Sequence, residues 1–132
     1  MDLTPRRFAD AVVLRPSGRL DHRTAPDFRT ALAPHLEACA AGRDVVVLDL
    51  SGLEHISSAG LRVLMLASRQ VSAQRGTMVA ANPQPRVHEI FEISRFTLVF
   101  EIFPTVAAAL ARVSPAGAAA YGPPDAPAPG SA

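Results

Sequence analysis

Apolar positions change their period along this chain, and the changes mark its elements. Val45-Val46-Val47-Leu48-Asp49-Leu50 is an almost unbroken aliphatic run, the pattern of a strand covered on both faces. From Leu61 the period lengthens, with Leu61, Leu64 and Met65 on one face, which predicts a helix from about Ser58 to Arg75 stopped by Gly76. Between them, residues 51–56 read as a tight loop, so Ser57 and Ser58 stand at a helix N-terminus. Such an end carries unpaired backbone N–H groups and partial positive charge, which suit a capping hydroxyl and equally a phosphate.

The same reading extends to both sides. Residues 8–10 start an extended piece, and Ala11 to Arg15 form a strand ending at Pro16-Ser17-Gly18. Thr24 with Asp27 three residues on signals a helix start, followed at helical spacing by Phe28, Ala31, Leu32, His35, Leu36 and Cys39. Pro34 falls inside that pattern, so a kink or a break into two short helices is expected, ending at Gly42. Thr77 to Ala81 is a short strand. Asn82 and Pro83 then open a helix striped by Val87, Ile90 and Phe91, with Phe96 beyond it either core or an exposed contact. Leu98 to Phe103 is the next strand, and Pro104-Thr105 opens a last helix carrying Val106, Leu110 and Val113. Strands alternating with helices indicate an α/β layer structure with a largely parallel sheet.

Composition then narrows the function classes. With 132 residues, 48% apolar and 19% charged, the length suits one domain. A net charge of +1 gives no bulk electrostatic reason to bind nucleic acid or an acidic membrane surface, and all thirteen basic residues are Arg. Cys39 stands alone, which leaves no intramolecular disulfide or zinc cluster and is compatible with a reducing cytosol. The N-terminal residues lack the apolar segment of a signal peptide, and no run is long enough to insert in a bilayer, so a soluble cytoplasmic protein is expected. Beyond residue 113 the composition shifts: five prolines, three glycines and seven alanines with a single charge, Asp125. The expected organisation is a folded domain over 1–113 and a disordered tail over 114–132.

The motif around the serines carries more than its local geometry. Asp49-Leu50-Ser51-Gly52-Leu53 followed by Ile56-Ser57-Ser58-Ala59-Gly60-Leu61, together with Gly18-Arg19-Leu20-Asp21 and Thr24-Ala25, resembles the STAS domains, and among them the bacterial anti-sigma factor antagonists. The resemblance covers roughly residues 8 to 113. It implies a mixed five-stranded sheet with about four helices packed mainly on one side. It also implies that the family's phosphorylated serine is Ser58, with Ser57 standing where an acidic residue is usual and Ala59 where a hydroxyl residue is usual. The first departure keeps Ser57 as the alternative acceptor.

By the same resemblance the surface that meets a partner comprises Asp21, His22, Thr24, His55, Ser57, Ser58, Ala59, Gly60 and Arg62. The partners it implies are an anti-sigma factor with a histidine-kinase-like ATPase fold acting as a serine kinase, and a PP2C-type phosphatase. A regulatory subunit of a larger assembly, such as a lipid-transport ABC system or a stress-sensing complex, is the alternative. Residue by residue, Asp21 also reads as a turn residue, the serines as a plain cap, and Arg62, one turn beyond Ser58, as either a phosphate partner or a solvated side chain.

Enzyme chemistry finds little purchase. Ser58, His55, Asp21 and Asp49 supply the types of a nucleophilic triad, but the G-x-S-x-G elbow is missing and His55 is too near Ser58 in sequence. His22, His35, His55 and His88 show no metal spacing, and no phosphate loop with its lysine is present, so neither an enzyme nor a cofactor is expected.

Overall fold

The computed structural model describes residues 1–122. Six strands and five helices follow one another along the chain: β1 (Asp2–Phe8), β2 (Ala11–Leu20), α1 (Ala25–Ala38), β3 (Val45–Asp49), β4 (Leu53–Ile56), α2 (Ser58–Ala73), β5 (Met78–Ala81), α3 (Pro85–Ile93), β6 (Ile102–Phe103), α4 (Val106–Val113) and α5 (Pro115–Tyr121). The sheet order is β1-β2-β3-β5-β6, parallel except for β1, which runs antiparallel to β2, and β4 pairs in parallel with β2.

The continuous aliphatic runs are explained by cover on both faces. Along β2, Val12 and Leu14 point into a core shared with α1, α2 and α3, while Ala11 and Val13 join a second core with α4. β3 repeats the division, with Val46 and Leu48 on the first face and Val47 on the second. β1 is an edge strand and mostly exposed; Pro5 and the charges of Arg6 and Arg7 guard it against further pairing. Arg7 reaches out from it to clasp Asp44 with two hydrogen bonds of 3.0 and 2.9 Å.

Several expected boundaries shift. β1 begins at Asp2, well before residue 8, and β2 runs through Pro16-Ser17-Gly18 to Leu20 instead of stopping there. A long β2 serves two neighbours in turn: Ala11 to Leu14 pair with β3, and Gly18 to Leu20 pair with β4 across a register shift. The stretch read as a loop over residues 51–56 is a single 3-10 turn, Leu50–Gly52, followed by a strand beyond the five expected, β4. Its four residues are too short to show a period in sequence.

α1 is one continuous helix despite Pro34, and it ends at Ala38 rather than Gly42. Pro34 is exposed, so the carbonyl one turn back that loses its N–H partner can turn to water. Gln74 closes the other end of this pair of helices, its Nε2 donating to the carbonyls of Leu36 and Cys39 at 2.7 and 2.9 Å. Gly76 is required where the chain leaves α2, because a Cβ there would sit 2.3 Å from the Cys39 carbonyl oxygen. The Cys39 thiol is buried, donates to the Thr77 carbonyl at 3.2 Å, and has its pKa raised by burial.

α3 starts at Pro85, not at Asn82, which adopts a left-handed conformation with φ of 56°. The predicted strand over Leu98 to Phe103 shrinks to Ile102–Phe103. Phe96 to Leu98 form a 3-10 turn instead, and Phe96 and Phe100 on either side of it both enter the core. Thr105 does open α4 as expected, accepting from the Ala108 N–H at 3.0 Å.

The expected tail is a helix over its first part. α5 packs on the second face of the sheet: Tyr121 lies edge-on to Phe8 at 5.0 Å between centroids. The buried Ser114 hydroxyl donates to Asp10 and accepts from the Gly117 N–H. Alanine-rich composition, read as a signature of disorder, is equally good helix-forming sequence once a sheet face is offered to it. The remainder of the expected tail, 123–132, lies outside the described residues.

Candidate functional site

Two parallel strands end side by side at the same edge of the sheet. Leu20 of β2 pairs with Ile56 of β4, so the loops that follow, Asp21–Thr24 and Ser57–Ser58, leave the sheet together at the strands' C-terminal ends, where open α/β sheets place their sites. The Ser57 N–H donates to the Leu20 carbonyl at 2.9 Å and ties one loop to the other.

The Asp21–Thr24 loop is self-contained. Asp21 Oδ1 accepts from the backbone N–H of Arg23 at 2.9 Å and of Thr24 at 3.3 Å, while Thr24 Oγ1 accepts from the Asp21 N–H at 3.0 Å and donates to the Arg19 carbonyl at 2.8 Å. Thr24 stands at the N-cap of α1, where the start signal placed it, and its hydroxyl makes no cap bond. The backbone N–H of Arg23, followed by that of Thr24 and the charges of His22 and Arg19, holds the Asp21 carboxyl below its ordinary value. Asp21 is thus a charged turn residue, and His22 beside it is exposed.

The second loop separates the two serines. Ser57 occupies the N-cap of α2 with extended backbone, its carbonyl accepting from the Leu61 N–H at 2.9 Å. Its Oγ is fully buried and has no hydrogen-bond partner, so the expected hydroxyl cap is not made. Ser58 is the first residue of the helix and is exposed. Gly60 is buried against β2 and β4, Ala59 is half-buried, and Arg62 is exposed on the turn that follows.

Ser58, Leu61, Arg62 and Met65 form one wall of an open groove whose other wall is Ser94 and Phe96, in the connection after α3. Phe96 is core, stacked between Phe91 and Phe100 at 5.4 and 5.5 Å. Sequence reasoning missed Leu61, Met65 and Ser94 as part of this surface. Leu61 and Met65 carry the ordinary signal of a core stripe, and Ser94 carries none.

The triad types are dispersed. Asp49 Oδ1 accepts from the Ser51 N–H at 3.1 Å and caps the 3-10 turn, and no hydrogen bond among the described residues joins Ser58 to His55, Asp21 or Asp49. His55 sits half-buried on β4 opposite Arg19.

The profile of the STAS domain family matches residues 3–109. The chain belongs to the STAS domain family. A relative in Bordetella bronchiseptica, named "Putative anti-sigma factor antagonist BtrV", is 34% identical over 102 residues, covering 77% of this chain and 85% of the relative. Among solved structures, an anti-sigma factor antagonist from Mycobacterium paratuberculosis superposes with a TM-score of 0.74 at 22% identity, over 85% of this chain and 92% of the other. The anti-sigma factor antagonist SpoIIAA in its unphosphorylated form gives 0.68 at 22% identity, over 85% and 96%. The phosphorylated Bacillus form gives 0.62 at 21% identity, over 85% and 99%. At these identities the structural matches establish the STAS fold, and α5 lies beyond the residues matched by the family profile.

Proposed function

We propose that this STAS domain is an anti-sigma factor antagonist switched by phosphorylation of Ser58. The observation that carries the reading is the exposed Ser58 hydroxyl at the first position of α2, beside the Asp21–Thr24 loop, in a chain whose relative BtrV is named for that activity. Ser57, the alternative acceptor, is disfavoured because its Oγ is buried and out of reach of a kinase.

In the unmodified state the surface from Asp21 to Thr24 and from His55 to Arg62 binds an anti-sigma factor with a histidine-kinase-like ATPase fold, and the sigma factor is released in the cytoplasm. That partner then transfers the γ-phosphoryl of ATP to Ser58 Oγ: the new bond is O–P, ADP leaves, and the hydroxyl proton passes to a base on the kinase. A PP2C-type phosphatase reverses the change, water cleaving the O–P bond to return serine and inorganic phosphate.

The phosphate adds a charge of about −1.5 to −2. At a helix N-terminus the domain itself tolerates that charge, so the switch works on the partner surface and leaves the fold intact. A loss of about 3 kcal/mol in binding weakens the complex roughly a hundredfold, enough for partner exchange.

The test is phosphopeptide mapping of the purified chain and its Ser58→Ala variant after incubation with ATP and host cytosolic extract. Modification confined to Ser58 and absent from the variant supports the switch. No modification at Ser57 or Ser58, in an extract that phosphorylates a control substrate, overturns it and favours a regulatory subunit of a larger assembly.

A further inference from the structure

The groove beside Ser58 has an apolar shoulder that the proposed switch does not explain. Ile93 and Leu98 flank its Ser94–Phe96 wall in sequence and are 76% and 81% exposed, the highest values for large hydrophobic residues among those described. Scattered single exposures are ordinary on any protein surface. Two fall on one short segment whose Ser94 and Phe96 line a concave surface with Leu61 and Met65, and exposed apolar side chains grouped in this way are of the kind that marks protein contacts.

The segment is also held rigidly. Arg95 adopts the left-handed conformation with φ of 59°, and the backbone N–H groups of Leu98, Val99 and Phe100 donate back to Arg95 and Phe96 at 2.9 to 3.1 Å. Phe96, locked between Phe91 and Phe100, anchors the turn from inside. The two side chains are therefore presented to solvent by fixed backbone, which lowers the ordering cost of covering them.

We propose that Ile93 and Leu98 are apolar anchors for the anti-sigma factor, which seats an apolar side chain flanked by a carboxylate in the groove between α2 and the Ser94–Phe96 turn. This rests on the reading of Ser58 as the switch. A kinase that modifies Ser58 must bring its nucleotide to that hydroxyl, and Ser58 is part of the groove's own lining, so the enzyme docks against at least that end of the groove. The lining itself holds one charged residue, Arg62, and no carboxylate, while Glu92 and Arg95 lie outside it on the same segment, so Arg62 is the group that a partner's carboxylate meets inside the groove. A phosphate on Ser58 then faces the partner's carboxylate at the margin of a desolvated apolar contact, so repulsion and desolvation both act against the complex.

The experiment measures the affinity of the full unphosphorylated chain, by calorimetry, for the purified kinase that modifies Ser58. Ile93→Ser and Leu98→Ser are each expected to weaken binding roughly tenfold or more. Leu66→Ser, which alters an exposed apolar residue in the separate cleft between α1 and α2, is expected to bind like the parent. Unchanged unfolding midpoints show that the variants are folded. If Ile93→Ser and Leu98→Ser bind like the parent while Ser58→Asp fails to bind, the anchors are wrong and the switch stands. If no kinase modifies Ser58 and nothing binds the unmodified chain, both fall. If Leu98→Ser turns a self-associating chain into a monomer and leaves kinase binding intact, the shoulder serves a second copy of this chain and the proposal is overturned.

Discussion

Gly60 packs directly on Leu20: a Cβ at position 60 would lie 2.7 Å from the Leu20 Cγ and 2.8 Å from Ile56 Cγ1. The first turn of α2 therefore rests its backbone on the side chains at the ends of β2 and β4, with no side chain of its own between them. This contact, with the bond from the Ser57 N–H to the Leu20 carbonyl, sets where Ser58 stands relative to the Asp21–Thr24 loop.

Gly60→Ala tests that relationship. In an open helix the change would stabilise by up to about 1 kcal/mol, but here the added methyl overpacks a closed contact, at a cost of about 1–3 kcal/mol. The net expectation is a lower urea midpoint and weaker partner binding, because the start of α2 must move away from β2. An unchanged midpoint would show that the helix start yields without strain.

Ser57→Ala separates a capping hydroxyl from a stranded one. A working N-cap loses about 1 kcal/mol on this change. Since Ser57 Oγ is buried without a partner, its removal should leave stability unchanged or raise it by up to about 1 kcal/mol, as expected when an unsatisfied polar group leaves an interior. Chemical denaturation of the two proteins side by side gives the sign.

Deleting residues 114–132 should lower the unfolding free energy by about 2 kcal/mol or more. The deletion leaves Asp10 without the Ser114 hydroxyl and bares the face of Phe8 and Ala11 that α5 covers. Tyr121→Ala alone should cost about 1 kcal/mol through the lost edge-on contact with Phe8. Full stability in the deleted chain would mean that α5 is dispensable to the fold.

Acid should weaken the clasp between Arg7 and Asp44. The hydrogen bonds from Arg7, with its charge, hold the Asp44 carboxyl below its ordinary value. The unfolded chain therefore binds the proton first. The stabilisation is present above the unfolded carboxyl value of about 3.9 and is lost as pH falls through the folded one. Arg7 is 58% exposed, so the pair contributes less than about 1 kcal/mol. Asp44→Asn should lower the urea midpoint slightly at about pH 7, and the difference should shrink as pH falls through the folded carboxyl value.

The motif Ile56-Ser57-Ser58-Ala59-Gly60-Leu61 showed in sequence that a helix begins at the serines, and Val45 to Leu48 showed a strand buried on both faces. Both signals are local and periodic. The short β4 and the break of Phe96–Phe100 away from strand geometry left no such trace, because each is dictated by what lies across the core: the last residues of β2 for one, Phe91 for the other.

What the sequence by itself determined is the order of the longer elements, with β4 and α5 left out, the apolar faces and the family, since these depend on spacing and on a short motif. Tertiary structure alone decided which serine is reachable. Ser57 and Ser58 are identical in chemistry and adjacent in the chain, and only the packing of α2 on Leu20 and Ile56 buries one hydroxyl and exposes the other. It also decided the fate of the first residues after the expected boundary. A Pro-Ala-Gly stretch has no core of its own, and it became α5 because Phe8 and Ala11 on the sheet offered it a surface to fold against.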